Sequence, residues 1–439
     1  MTDNKKPAVA VTTLGCKVNQ FESASFLTSL EDQGATVVPF SHPADIYIVN
    51  TCAVTGKAAA QSRQLVRRAL RTNPEAKVVV TGCCAQVDSK MFTEISKDSI
   101  CVVGNGNKHK LVDIALSDEK NDPDLFLGDI SKEKDICFLP VRKFAGRTRA
   151  FLKIQDGCNC FCSYCIIPYS RGRSRSLSPE KVVEQMEVFA QEGIREIVLT
   201  GIHSGCYGKD LKPRLCLLEL FKILNKQNPV IRYRISSLEP TEITSEMLQF
   251  IKAVKNFMPH FHISLQSGDN SILRKMKRRY TVETYVETME RVNKFLPGAA
   301  VGVDVLVGFP GEDDHAFLNT LELLESLPVA YLHVFPFSRR PGTPAYEMKD
   351  QVPNKIKEER VALLRELDHK KRVIFYGRHL GQVHHVLAES AKNQFHMMKG
   401  FTENYIPVYF QAPDSAVNQV FDVKIERLMD KTVFGMVAT

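Results

Sequence analysis

Cys158, Cys162 and Cys165 lie in the run Asp156-Gly157-Cys158-Asn159-Cys160-Phe161-Cys162-Ser163-Tyr164-Cys165, so one short loop supplies three thiolates at Cys-x3-Cys-x2-Cys spacing. No obvious fourth ligand accompanies them. A structural zinc site closes its tetrahedron with four protein ligands, whereas a four-iron cluster held by three thiolates leaves one iron open to a substrate or cofactor. The spacing therefore predicts reactive iron chemistry.

A second set of three cysteines is spread over the first 140 residues. Short β-branched runs alternate there with helical stretches, the pattern of a doubly wound parallel sheet flanked by helices. Three strands end alike: Val9–Thr13 leads into Gly15-Cys16, Ile46–Asn50 into Thr51-Cys52, and Val78–Thr81 into Gly82-Cys83. In an open parallel sheet the carboxyl ends of the strands form the ligand crevice, so Cys16, Cys52 and Cys83 are expected to converge on one metal site. Gly15 and Gly82 would permit the tight turn or close approach this needs. The competing reading is three buried cysteines acting as small hydrophobes. Cys84, Cys101, Cys137, Cys160, Cys206 and Cys216 lack any such pattern and are read as non-ligands, although Cys84 and Cys160 are near enough to a ligand to substitute.

These two sets need scaffolds. From about residue 147, six strand and helix alternations predict a partial α/β barrel, with strands near 150–155, 196–200, 233–236, 262–265, 303–307 and 331–335. Functional groups of such barrels collect at the carboxyl ends of the strands. There the chain places the cysteine loop, Gly201, Ser236 with Ser237, Gln266 and Gly308. The glycines would admit a ligand to the backbone, and Ser236 and Gln266 could hydrogen-bond its sugar or amino acid portion. The alternative for each alone is an ordinary turn or helix cap. A helical stretch after Pro353, with Leu363, Leu364 and Leu367 in register, connects to short alternating strands beyond residue 380 that suggest a small β-barrel, a form that often binds nucleic acid.

Composition sets the outer limits. At 439 residues the chain is expected to hold several domains, and 44% hydrophobic with 25% charged residues is ordinary for a globular protein. No apolar run reaches transmembrane length, and the polar start lacks a secretory h-region, so the cytosol is the expected compartment, with no membrane partner. There, 12 cysteines suit metal ligation better than disulfides. The net charge of +8 is compatible with a phosphate backbone as partner. Arg171, Arg173 and Arg175 beside the cysteine loop, and the run Arg274-Lys275-Met276-Lys277-Arg278-Arg279, are the candidate phosphate contacts, Lys275, Arg278 and Arg279 above all; a solvated loop and a plain helix end are the alternatives. His203 and His262 are read as ordinary polar residues.

With Tyr164 just before its last thiolate, the Cys158–Cys165 loop resembles that of the radical S-adenosylmethionine enzymes. Thr13-Leu14-Gly15-Cys16-Lys17-Val18-Asn19, Asn50-Thr51-Cys52-Ala53-Val54 and Gly82-Cys83-Cys84-Ala85-Gln86 narrow the resemblance to the methylthiotransferases. Cys84 departs from that family's usual aromatic residue. The resemblance covers nearly the whole chain and implies an N-terminal methylthiotransferase domain (1–140), a radical domain (147–375) and a C-terminal RNA-binding TRAM barrel (380–439). It implies two 4Fe-4S clusters, on Cys158, Cys162 and Cys165 and on Cys16, Cys52 and Cys83, with S-adenosylmethionine held near Tyr164, Gly201, Ser236, Ser237, Gln266 and Gly308. Cleavage of S-adenosylmethionine would yield a radical that removes hydrogen from C2 of an adenine, and the auxiliary cluster would donate sulfur. The implied partners are a tRNA anticodon stem-loop and an electron donor such as flavodoxin or ferredoxin. The stretch Tyr164–Ser176 and the segment Gly400–Ile406 most resemble the group acting on threonylcarbamoyladenosine at tRNA position 37; isopentenyladenosine or a ribosomal-protein aspartate are the other substrates in the family. Outside it stand a radical enzyme whose second cluster only transfers electrons, and a non-catalytic zinc-containing RNA-binding protein.

Overall fold

The structure, a computed structural model, describes residues 6–117, 126–144, 146, 148–390 and 397–438; residues 1–5 of the polar start and Arg147, the expected opening of the second segment, lie outside them. The first sheet comprises β1 (Ala8–Thr13), β2 (Thr36–Val38), β3 (Ile46–Thr51), β4 (Lys77–Gly82) and β5 (Ile100–Val103), in the order β2-β1-β3-β4-β5, and every neighbouring pair is parallel. Strands buried on both faces read as near-continuous apolar runs, and Val78, Val79 and Val80 are fully buried. Two cores cover the two faces, one with Tyr47, Val49 and Val80, the other with Ile48, Val79 and Val103. The short edge strands β2 and β5 were not anticipated from sequence.

The second unit begins with β6 (Arg149–Lys153). The cysteine loop follows, tied at its base by β7 (Gln155–Asp156) and β8 (Arg175–Ser176), which pair antiparallel. Next come β9 (Glu196–Thr200), β10 (Arg232–Ile235), β11 (His260–Gln266), β12 (Ala300–Val307) and β13 (Tyr331–Pro336). Parallel pairing runs β6-β9-β10 and β11-β12-β13, and the bridge Leu238 to Ile263 links the two halves. All six predicted strands are present and make an open half-barrel. Its core takes in Phe21 and Ala24 of the helix Lys17–Asp32, so an element that starts beside Cys16 also packs the second unit.

The helix Asn354–Gly377 leads to β14 (Val383–Ser390), β15 (Met398–Phe401), β16 (Pro407–Phe410), β17 (Val420–Met429) and β18 (Thr432–Val437), a closed barrel in the order β14-β15-β16-β18-β17. Tyr405, between β15 and β16, occupies a left-handed turn at φ 69°. This turn docks on the amino ends of the half-barrel strands. Arg234 bonds Glu196 at 2.6 Å and donates to the carbonyls of Thr402 and Glu403 at 2.8 Å each, and Arg149 pairs with Glu389 of the barrel. Because Glu196 and Arg234 are both buried, removing the guanidinium strands a carboxylate and two carbonyls. Arg234→Met is expected to lower unfolding free energy by about 2–4 kcal/mol in urea titration; a loss under about 1 kcal/mol would show that other contacts hold the barrel.

Candidate active site

The order of the first sheet places its topological switch point between β1 and β3, where open α/β sheets bind ligands outside the carboxyl ends. Cys16, Cys52 and Cys83 follow β1, β3 and β4, three adjacent strands. Two glycines make the convergence possible. Gly15 has φ 98°, and a Cβ there would lie 2.9 Å from Sγ of Cys52; Gly82 has φ 96°, and a Cβ there would lie 2.3 Å from the carbonyl oxygen of Thr51. Any other residue would push the neighbouring strand ends apart.

Electrostatics bind the set together. Burial pushes the Cys52 thiol up to about 12, and the nearby Cys83 and Cys16 add to the shift. Against them stands Arg171, whose Nε donates to Sγ of Cys83 at 3.2 Å. The same guanidinium bonds Glu22 at 3.0 Å, Asp156 at 2.9 Å and the side-chain oxygen of Asn19 at 2.6 Å. Lys108 and Lys153 complete a wholly enclosed network around Glu22. Burial alone would raise the Glu22 carboxyl, but Arg171, Lys108 and Lys153 hold it well below the usual range.

The Cys158–Cys165 loop stands at the carboxyl ends of the half-barrel. Its backbone is pinned where Cys158 N–H donates to the Gly172 carbonyl at 3.0 Å and Ser163 N–H to the Met276 carbonyl at 3.1 Å. Burial raises the Cys165 thiol to about 12. Arg278 donates to Sγ of Cys162 at 3.3 Å and to the Tyr164 hydroxyl at 3.5 Å, and pairs with Glu239 at 3.0 Å. All 12 cysteines are free thiols. Each triad thus offers three thiols with one arginine N–H on a sulfur, a donor set suited to an anionic thiolate cluster. Ile166, next to Cys165, packs in the same core as Cys83, so these two cysteines lie at adjoining parts of the fold.

A cavity of about 810 Å³ opens beside the first triad, bounded by the Cys16 and Cys52 turns, the inward faces of the half-barrel strands and the barrel residues Phe401, Asn404 and Tyr405. Gly201, Ser236 and Ser237 line it, as placed from the sequence. Ser236 bonds Ser204 at 2.9 Å, and Ser237 bonds Nδ1 of His262 at 2.6 Å. Gln266 is outside the lining, at a bulge with φ 68°. Gly308 turns toward the Lys357 stem, which a Cβ would meet at 2.3 Å, so this glycine accommodates packing and leaves no room there for a ligand.

The basic residues need correction. Arg171 is buried within the carboxylate network, Arg175 is buried and donates to the backbone carbonyls of Arg171 and Asp135, and Arg278 is enclosed at the cysteine loop. None of the three presents its charge to a phosphate, because each guanidinium is turned into the fold onto carboxylates, carbonyls or thiols. Arg173, Lys275 and Arg279 are exposed, and Arg279 lies beside the Asn159 carbonyl of the loop at 3.5 Å.

Sequence reasoning passed over His203. Its Nδ1 lies 3.7 Å from Sγ of Cys158, 3.3 Å from Cys160 and 3.4 Å from Cys206, and its Nε2 bonds Glu242 at 2.5 Å. The signal was available, since His203 follows Gly201 at a strand end on the face that carries the cysteine loop. His262 also has a definite place: its Nε2 lies 3.0 Å from Nδ1 of His333 and 3.2 Å from Asp304, on the cavity wall. Cys84 is core, packed against Met91.

An open half-barrel with a three-cysteine loop at its carboxyl ends defines a radical S-adenosylmethionine protein, and residues 152–324 match the model of the Radical SAM superfamily. Residues 8–104 match Uncharacterized protein family UPF0004. Over 421 residues the chain is 38% identical to the threonylcarbamoyladenosine tRNA methylthiotransferase MtaB of Bacillus subtilis (strain 168), covering 95% of this chain and 93% of that one. It is 41% identical over 404 residues to the MtaB of Aquifex aeolicus (strain VF5), covering 91% and 96%. It is 32% identical over 427 residues to the tRNA-2-methylthio-N(6)-dimethylallyladenosine synthase of Pelotomaculum thermopropionicum, covering 94% of each. The chain belongs to the tRNA methylthiotransferase family. Among solved structures, the radical S-adenosylmethionine methyltransferase TsrM from Kitasatospora setae, with cobalamin and a 4Fe-4S cluster bound, shares the fold at TM-score 0.55 and 16% identity, covering 77% of each chain. Among the described residues no helix is long and apolar enough to cross a membrane.

Arg171 sets the first testable point of the site. Arg171→Met leaves Glu22 and Asp156 buried with fewer cations, which should cost about 3–5 kcal/mol of stability in denaturant titration. A variant as stable as wild type would remove the network from any structural role.

Proposed function

We propose that this enzyme converts N6-threonylcarbamoyladenosine at position 37 of tRNA to its 2-methylthio derivative. The reading rests on two three-cysteine sets, one on the strand ends of the first sheet and one in the loop after the first half-barrel strand, together with a cavity large enough for a modified base that is lined by Cys16 and Cys52. Higher identity to the two MtaB relatives than to the dimethylallyladenosine synthase favours the threonylcarbamoyl substrate.

In this reading Cys158, Cys162 and Cys165 would hold a 4Fe-4S cluster, which would supply the electron for cleavage of S-adenosylmethionine, and Cys16, Cys52 and Cys83 would hold a second, which would supply sulfur. The chain does the rest. Arg278 and Arg171 hold one sulfur of each triad, and Ser236, Ser237 and Gly201 offer hydrogen bonds and space to the nucleoside part of S-adenosylmethionine. Arg173, Lys275 and Arg279 border the cysteine loop on the exposed side and hold phosphates of the anticodon stem-loop. The base is splayed out of its stack to enter the cavity. A low-potential carrier such as flavodoxin or ferredoxin provides electrons.

Two variants separate the triads. Cys158→Ala should abolish reductive cleavage of S-adenosylmethionine, while Cys52→Ala should retain cleavage and form no methylthio product, as read by mass spectrometry of tRNA nucleosides. Normal product from the Cys52 variant would refute the sulfur-donor role.

A further inference from the structure

The cavity holds one charge that the fold leaves unanswered. Lys17 is the first residue of the helix that begins after Cys16, and its side chain enters the cavity alongside Arg149 and Arg234. Both arginines are already neutralised, Arg149 by Glu389 and Arg234 by Glu196. The negative charge nearest in effect to Lys17 is Asp304, and that carboxylate is held by His262 at 3.2 Å and His333 at 3.6 Å. Among the described residues Lys17 has no ion-pair partner of its own. Lys17 is exposed on the wall of this cavity, and an ammonium there with two more cations as neighbours attracts an anion.

The cavity also says which anion. Its barrel side is aromatic: Phe401 and Tyr405 stack with centroids 4.8 Å apart, and Arg149 lies over both rings. Such a wall suits a planar or apolar group carrying a small charged end, rather than a bare phosphate. Lys17 directly follows Cys16, a ligand of the proposed sulfur-donating cluster, so a group it binds is held near the base position that would receive sulfur.

We propose that Lys17 is a specificity-determining residue that binds the free carboxylate of the amino-acid substituent on the target adenine. This rests on the functional reading above and adds the means by which the enzyme separates a threonylcarbamoyl base from one with an uncharged alkenyl substituent. A charge-assisted hydrogen bond from an ammonium to a carboxylate discriminates against a neutral group of the same shape.

The test uses the iron-loaded holoenzyme and anticodon stem-loops bearing, at position 37, threonylcarbamoyladenosine, its carboxyl methylamide, or isopentenyladenosine. Wild type should prefer the acid to the amide by about ten- to a hundredfold in KM, with the same ratio in Kd from fluorescence anisotropy. Lys17→Met should bind and turn over acid and amide alike while still cleaving S-adenosylmethionine, and Lys17→Arg should keep the preference. Lys17→Gln serves the same purpose if the methionine variant loses iron. Retention of the acid preference by Lys17→Met or Lys17→Gln, or its absence in wild type, overturns the proposal alone, provided wild type converts the threonylcarbamoyl stem-loop. A wild-type enzyme that converts only the isopentenyl stem-loop overturns the functional reading and this proposal with it.

Discussion

The architecture depends on one buried guanidinium. Arg171 sits where the helix Lys17–Asp32 meets the strand leading to the cysteine loop, and its donors reach Cys83, Asn19 and Glu22 on one side and Asp156 on the other. Among the described residues Lys108, Lys153 and Arg171 share two carboxylates, Glu22 and Asp156, which leaves positive charge in excess in a buried region. Uncompensated charge is costly there. The remaining partner of Arg171 is the sulfur of Cys83, so an anionic thiolate site at the strand ends completes the balance. Docking of the two sheets and the charge of the Cys16, Cys52 and Cys83 site are therefore parts of one electrostatic problem.

Arg278 repeats the device at the other triad, with a sulfur, a tyrosine hydroxyl and a carboxylate on one guanidinium. Burial raises the Glu239 carboxyl even with Arg278 beside it. N–H donors on cluster sulfurs and exclusion of solvent both tune reduction potential. The two sites are thus set by the same kind of contact, delivered from different strands.

What could be read from the sequence follows the range of the interactions. The strand-end cysteines were legible because a β-branched run followed by Gly-Cys is a local pattern, and strand order then brings three such ends together. The half-barrel was legible for the same reason. Arg171, Arg173 and Arg175 look alike in the run Arg-Gly-Arg-Ser-Arg, and what separates them is a carboxylate 149 residues away in sequence, Glu22. No local pattern carries that. Gly308 illustrates the same limit from the other side: its turn was visible, but the Lys357 stem that fills the space beside it comes from a distant helix. The polar interior had a faint signal, since His260 and His262, and likewise Tyr331 and His333, recur at the two-residue period of an inward-facing strand surface.

That polar interior explains why three units are needed. A half-barrel alone exposes its inner face, where Arg149, Arg234, His262 and Asp304 would sit in water and bind nothing tightly. The barrel turn at Asn404 and Tyr405 closes the amino end, and the Cys16 turn of the first sheet covers part of the carboxyl end. Closure lowers the local dielectric and strengthens every charge inside. It also adds the aromatic barrel residues Phe401 and Tyr405 to a cavity that Tyr331 of the half-barrel already lines, and aromatic side chains can replace stacking a base loses on leaving an RNA loop. The same enclosure limits access of solvent and brings Cys16 and Cys52 to the cavity wall. Each unit contributes one wall, and the reaction this family performs needs all of them in place at once.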